Sequence, residues 1–195
     1  MKDQHIILRM YEMPQTVFTM QELQLLFPSF SHKELQNKLH YAIQTRKIGN
    51  IRRGIYTKNT YHPYELANKL YTPSYISFET ILAKEGLIFQ HETMIRVASY
   101  LSRQLQVDNH TLSYRKLPQE VLINTQGIEY QEYASIASKE RAFLDAVFLY
   151  KNYHFDSLRP LDWSLVTKLM HVYPTKAFIK RVKEYYQLFQ DEHAG

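Results

Sequence analysis

The sequence predicts an α+β protein, with a helical region ending in a β-hairpin at the N-terminus and a mixed region of a small β-sheet with several helices after it. Three observations carry this expectation. Two Ser/Thr-x-x-Glu spacings, Thr19 to Glu22 and Ser31 to Glu34, open amphipathic runs as capping boxes do. The stretch Gln44–Asn59, QTRKIGNIRRGIYTKN, reads as two short strands around an Arg52-Arg53-Gly54 corner. Three segments between Met94 and Leu117 alternate apolar and polar residues with the period of a strand.

Taken in order, Asp3–Glu12 carries Ile6, Ile7, Met10 and Tyr11 at helical spacing, and Pro14 ends the run. Thr19 caps the short helix MQELQLLF, which buries Leu23, Leu26 and Phe27 before Pro28 breaks it. Ser31 caps a helix over His32–Arg46. Its apolar stripe is Leu35, Leu39, Ala42 and Ile43, and Lys33, Asn37, His40 and Gln44 fall opposite. Lys47–Lys58 then supplies the hairpin. The order helix, helix, turn, helix, hairpin is that of the winged variant of the helix-turn-helix, in which the third helix enters the major groove.

A short connecting helix is expected over His62–Tyr71, and the boundary between the two regions at residues 60–74. The sequence thus divides into a winged-helix region at 1–60, a connecting helix at 61–74 and a mixed domain at 75–195. In the last, Ser77–Leu87 reads as a helix and Met94–Ser99, Gln104–Val107 and Thr111–Leu117 as strands, with Asp108-Asn109-His110 as a turn. One or two further strands are expected over Ile128–Ile136. Helices follow over Lys139–Tyr150, capped by Ser138, then from Asp162 to His171, and over Pro174–Phe189.

Charge separates the two parts. Residues 1–70 hold 10 Lys/Arg against 5 Asp/Glu, and residues 71–195 hold 14 against 14, so the net +5 belongs to the first third. Such asymmetry points to a polyanion-binding part beside a neutral one, although a solvated basic face is the plainer reading of charge alone. There is no Cys, which excludes disulfides and thiolate metal sites. No apolar run of membrane-spanning length and no signal-like segment is present, so a soluble, cytoplasmic protein without membrane partners is expected.

The helix and the hairpin together make double-stranded DNA the expected partner. Lys33, Gln36, Asn37 and His40 are the candidate readers of base edges or phosphates: Asn and Gln pair bidentately with adenine, and Lys suits guanine or phosphate. Ser31 at the helix start joins this DNA-contacting set. Arg46, Lys47, Arg52, Arg53 and Lys58 are its electrostatic positions. An arginine-tipped hairpin can reach a phosphate backbone or minor groove while the helix sits in the neighbouring groove.

Catalytic signatures are missing, so no enzymatic activity, cofactor or metal is expected. The nine His show no HxH, HxxxH or HExxH spacing, His91-Glu92 is merely adjacent, and no phosphate-binding glycine loop or nucleophile elbow occurs. Glu79, Glu132, Glu140 and Asp145 are expected to be surface charges or helix-capping groups. Glu140 and Asp145 stand about 140° apart on one helix, which does not ask for a shared metal. The tyrosine-rich tail EYYQLFQ reads as a terminal helix docking its aromatic stripe on the core.

Four blocks in order resemble the AbiEi-type antitoxins of type IV toxin–antitoxin, or abortive infection, systems. Gly54–Ile88, GIYTKNTYHPYELANKLYTPSYISFETILAKEGLI, is similar to that family's RRGxY hairpin end, its ELANKL-like helix and its YISLETAL…GLI-like segment. TLSYRKL at Thr111–Leu117 and IASKERAFLDAVFL at Ile136–Leu149 resemble later blocks. The resemblance implies a repressor that binds operator repeats in its own promoter through the winged helix. It also implies that the second domain counteracts a nucleotidyltransferase-like toxin without a stable complex. Two other readings compete: a winged helix serving as a protein–protein module, and a nuclease in the second domain built on Glu140 and Asp145.

Overall fold

The computed structural model describes residues 2–90 and 93–193. It is a mixed α+β structure in two compact units, Met1–Leu70 and Tyr71–Gly195, each with its own sheet. His91 and Glu92 lie outside the described residues, as do the side chains of His5 and His193.

The first unit contains α1 (Lys2–Glu12), β1 (Val17–Thr19), α2 (Met20–Leu26), α3 (His32–Gln44), β2 (Gly49–Arg52), β3 (Ile55–Thr57) and α4 (Pro63–Leu70). Both capping boxes form. Thr19 Oγ1 accepts the Glu22 amide while Glu22 accepts the Thr19 amide, and Ser31 and Glu34 do the same for α3. Each cap satisfies amides that the first helical turn leaves unpaired, worth about 1 kcal/mol. Leu35, Leu39 and Ala42 of α3 pack with Ile6, Met10, Phe18, Leu23, Ile48 and Tyr56 in one apolar cluster. That burial fixes which side of α3 faces outward.

The antiparallel sheet of this unit has the order β1-β3-β2, so β3 is its centre and is buried along its length. The three-residue β1 was not expected from the sequence; it pairs Val17, Phe18 and Thr19 with Thr57, Tyr56 and Ile55. The helix expected at 61–74 is α4, and it belongs to the first unit. Buried Glu65 accepts both the amide and the hydroxyl of Thr16, at 2.9 and 2.6 Å, and Lys69 lies 3.2 Å from Glu65 and 3.0 Å from Glu22.

The second unit comprises β4 (Ser74–Ile76), α5 (Glu79–Lys84), β5 (Met94–Ser99), β6 (Arg103–Val107), β7 (His110–Lys116), α6 (Gln119–Leu122), β8 (Ile128–Gln131), β9 (Ala134–Ala137), α7 (Lys139–Leu149), α8 (Trp163–Leu169) and α9 (Lys176–His193). A 3₁₀ turn over Met170–Val172 extends α8. The sheet order is β6-β7-β5-β4-β9-β8, with β5–β7 and β4–β9 parallel and the remaining pairs antiparallel. The helix expected over Ser77–Leu87 is shorter. Its first residues are drawn into the sheet beside β4, where the Ser77 amide donates to the Arg96 carbonyl. Ser138 and Asp162 cap α7 and α8.

Here two expectations fail. Glu140 and Asp145 are not surface groups; they are 2% and 0% exposed. Asp145 accepts from Ser77, Tyr173 and Tyr75 at 2.7, 2.7 and 3.1 Å and pairs with the wholly buried Arg141 at 3.4 Å. Arg141 spends its remaining N–H groups on Tyr75 and on the carbonyls of Val121, Asn124 and Gln126. Glu140 accepts the amide of Asp162. Of the other two acids, Glu79 is 14% exposed and pairs with Arg96, while Glu132 is exposed.

The tail docks in part. Tyr185 donates to the Tyr153 carbonyl at 2.5 Å, and Phe189 and Tyr186 pack on Trp163.

Candidate nucleic-acid interface

The expected DNA-contacting residues rest on two elements of the first unit, α3 and the β2–β3 hairpin. α3 lies with Leu35 and Leu39 in the core, which turns Lys33, Gln36, Asn37 and His40 outward; all four are exposed. The chain leaves α3 through Arg46, which has a positive φ of 54° and an amide donating to the Ile43 carbonyl at 2.9 Å. From there the chain enters β2.

The tip is held in place. Gly54 has φ +80°, a conformation that suits glycine, and its carbonyl accepts the Met20 amide at 2.8 Å. Asn50 Nδ2 donates to the carbonyls of Arg52 and Ile55, both at 2.9 Å, bridging the bulge between Asn50 and Arg52. At the other end of β2, a Cβ on Gly49 would stand 2.5 Å from Thr57 Oγ1, so only glycine fits the pairing there without a shift.

Between helix and hairpin is a cleft of about 390 Å³. His32, Gln36, His40 and Ile43 line it from α3, Asn50, Arg53, Gly54 and Tyr56 from the hairpin, and Met20 from the start of α2. Gln36, His40 and Arg53, three of the expected residues, therefore share one groove. Lys33 and Asn37 stand about 100° further round the helix from His32 and Gln36 and lie on its exposed flank. His40 is tied to Gln44, with ring nitrogen and amide 2.9 Å apart.

The remaining expected residues divide. Arg52 is exposed at the tip. Arg46 and Lys47 are exposed at the base of the hairpin, where their carbonyls accept from Asn59 Nδ2 and the Tyr11 hydroxyl. Ser31 is occupied as the cap of α3, its hydroxyl donating to Glu34 at 2.7 Å. Lys58 departs from expectation. Its ammonium turns inward to the carbonyls of Met13 and Tyr11 and lies over the Tyr11 ring, so it ties α1 to the sheet. An ammonium with three donors satisfies a frayed helix end well, and that local demand wins over exposure.

Electrostatics favour an anion at this face. Residues 31–58 contain seven Lys/Arg and one acid, Glu34. Four of the five acids of the first unit are engaged inside it: Glu12 with Arg9, Glu22 and Glu65 with Lys69, and Glu34 with Ser31. The carboxylates thus serve caps and internal ties while Lys33, Arg46, Lys47, Arg52 and Arg53 face solvent.

Sequence reasoning missed His32, Asn50, Met20, Ile43 and Tyr56 as groove residues. The helical period offered a signal for two of them, since His32 and Ile43 fall on the same edge of α3 as Gln36 and His40. Among the described residues, no group of three or more His, Cys, Asp or Glu is placed to hold a metal, and no helix is long and apolar enough to cross a membrane. No protein-family model matches the chain, and no curated protein matches it significantly.

Proposed function

We propose that residues 1–70 form a winged helix-turn-helix that binds duplex DNA, with α3 as the recognition helix and the β2–β3 hairpin as the wing. One observation carries this reading: Gln36 and His40 of α3 and Arg53 of the hairpin line a single cleft on a face where cations outnumber acids. A helix is about 10–12 Å across with its side chains, and the major groove is about 12 Å wide, so α3 fits it. Gln36 and Asn37 then meet base edges, Lys33 meets phosphate or guanine, and Arg52 and Arg53 neutralise backbone phosphates beside the groove.

The role that fits such a module is sequence-specific repression, and the resemblance to AbiEi-type antitoxins makes the protein's own promoter the operator. In that role the second unit counteracts a nucleotidyltransferase-like toxin. A single module of this size makes few contacts, so a specific site requires repeated half-sites or a second copy of the chain.

The test is a fluorescence-anisotropy titration with the DNA immediately upstream of the gene and with a scrambled duplex of equal length. Tighter binding to the upstream duplex, by tenfold or more, is expected. Equal binding to both removes the repressor role, and no binding to either removes the DNA-binding module. A nucleotidyltransferase-like reading frame beside the gene, whose growth arrest is relieved by co-expression of this chain, is the expected outcome for the antitoxin role.

A further inference from the structure

A second cationic cluster lies wholly within the second unit. In register, Arg96 of β5 faces Ser113 of β7, and Arg115 is two residues further along β7. Strand alternation therefore puts all three on one face of the sheet. α5 covers part of that face: Thr80 Oγ1 accepts the Arg96 amide at 2.7 Å, and Glu79 pairs with the Arg96 guanidinium at 3.6 Å. The side chains of Arg96 and Glu79 are only 12% and 14% exposed. Arg96 also donates to Ser113 Oγ at 3.2 Å.

Tyr150, at the end of α7, completes the cluster. Burial, and then the charge of Glu79, push its phenol above the usual value, against the pull of Arg115 and Arg96. Its hydroxyl keeps its proton and is held in a hydrogen bond to Glu79, so Glu79 is shared between Arg96 and Tyr150.

The charges do not balance. Among the described residues two guanidiniums face one carboxylate, Glu79, and Arg96 takes it. Arg115 Nε is buried with no hydrogen-bond partner among the described residues, and Glu79 Oε2 is likewise buried without a hydrogen bond. Arg141, in the same unit, shows the contrast, because its buried guanidinium is satisfied by an acid, a hydroxyl and three carbonyls. Buried polar groups are almost always satisfied, so an unmatched guanidinium nitrogen beside further donors marks a place for an acceptor.

We propose that Arg115, with Arg96 and Ser113, forms a binding site for an oxyanion, the phosphate or carboxylate group of a small ligand. The Nε edge of a guanidinium offers two parallel N–H groups, which match two oxygens of such a group. Ser113 adds a neutral hydroxyl donor, and Arg96 adds the second positive charge. The half-buried setting favours a single small group over an extended polymer. The site is independent of the duplex-binding face, and the second unit can carry it whether or not the first binds DNA.

The experiment uses the full chain carrying Arg52→Ala and Arg53→Ala, which removes the phosphate affinity of the hairpin. Thermal unfolding is followed against sodium phosphate and, separately, sodium acetate, each relative to sodium chloride at matched ionic strength. A saturable rise in Tm of roughly 3–5 °C at ten times the dissociation constant is expected for a ligand held only by the folded state. Arg115→Met abolishes the rise, Arg115→Lys weakens binding about tenfold by removing the fork, and the control Arg159→Met leaves it intact. Each variant is compared with its own chloride baseline, so a change in stability does not mask the readout. A response to phosphate alone assigns a phosphorylated ligand, and a response to acetate alone assigns a carboxylate. No saturable response to either anion, or an undiminished one in both Arg115 variants, overturns the proposal.

Discussion

The two units use ionisable residues in opposite directions. In the first, Glu65 is buried and Glu12, Glu22 and Glu34 are spent on caps and ties at the surface, while arginines and lysines are left outward along α3 and the hairpin. In the second, where charges balance in number, one arginine and one aspartate are buried together and satisfied by Tyr75, Tyr173, Ser77 and backbone carbonyls. The comparison teaches that net charge locates a function only after the inward-facing groups are set aside. Lys58 and Glu65 are as charged as Arg53, but they hold the fold.

The largest expected effect is in the second unit. Removing one partner of a buried ion pair strands the other, which costs about 3–5 kcal/mol. Asp145→Ala is therefore expected to lower unfolding free energy in urea by that amount, while the double change Arg141→Met with Asp145→Leu costs distinctly less. Equal losses for the single and double variants would sink the claim that Arg141 and Asp145 act as a pair.

Alkaline pH gives the next effect. Burial, followed by the charge of Asp145, holds the Tyr75 and Tyr173 phenols well above their usual value of 10.0. Their neutral form belongs to the folded state, so the stability they contribute is complete below pH 10 and is lost as pH rises toward the folded values. Ultraviolet titration is expected to show two phenols ionising only with cooperative unfolding. If every tyrosine titrates before the fold is lost, these two are not enclosed as described.

The smaller effects sharpen the comparison in the first unit. Ser31→Ala is expected to cost about 1 kcal/mol through loss of the α3 cap, measurable as a lowered denaturation midpoint. Lys58→Met is expected to destabilise the fold yet leave the salt dependence of DNA binding unchanged. A salt slope that falls by about one unit in that variant would return Lys58 to the phosphate contacts.

Much of the local structure was legible because it is written locally. Thr19–Glu22 and Ser31–Glu34 need only three residues to be recognised, and the Arg52-Arg53-Gly54 corner needs three. β1 was hidden because three residues are too few for a period, and its pairing with β3 spans about 40 residues of sequence. The buried Arg141–Asp145 pair was misread because an i, i+4 ion pair looks the same on a surface. Its other partners lie far along the chain, Tyr75 on β4, Ser77 just after it and Tyr173 after α8. A clue was present nonetheless. In KERAFLDAVFL the apolar residues surround Arg141 and Asp145 on every side, which is the composition of a helix buried all round. In the cleft, the α3 face was legible, but Met20 and Tyr56 reach it only through the tertiary fold.

The central claim is that α3 and the arginine tip act on one duplex, and the salt dependence of binding tests it most directly. Logarithmic affinity for a duplex is measured against logarithmic salt for the parent chain and for Arg52→Ala with Arg53→Ala. Loss of two phosphate contacts is expected to reduce the slope by about two units, with weaker binding on every sequence tried. An identical slope and affinity in the double variant would contradict the account.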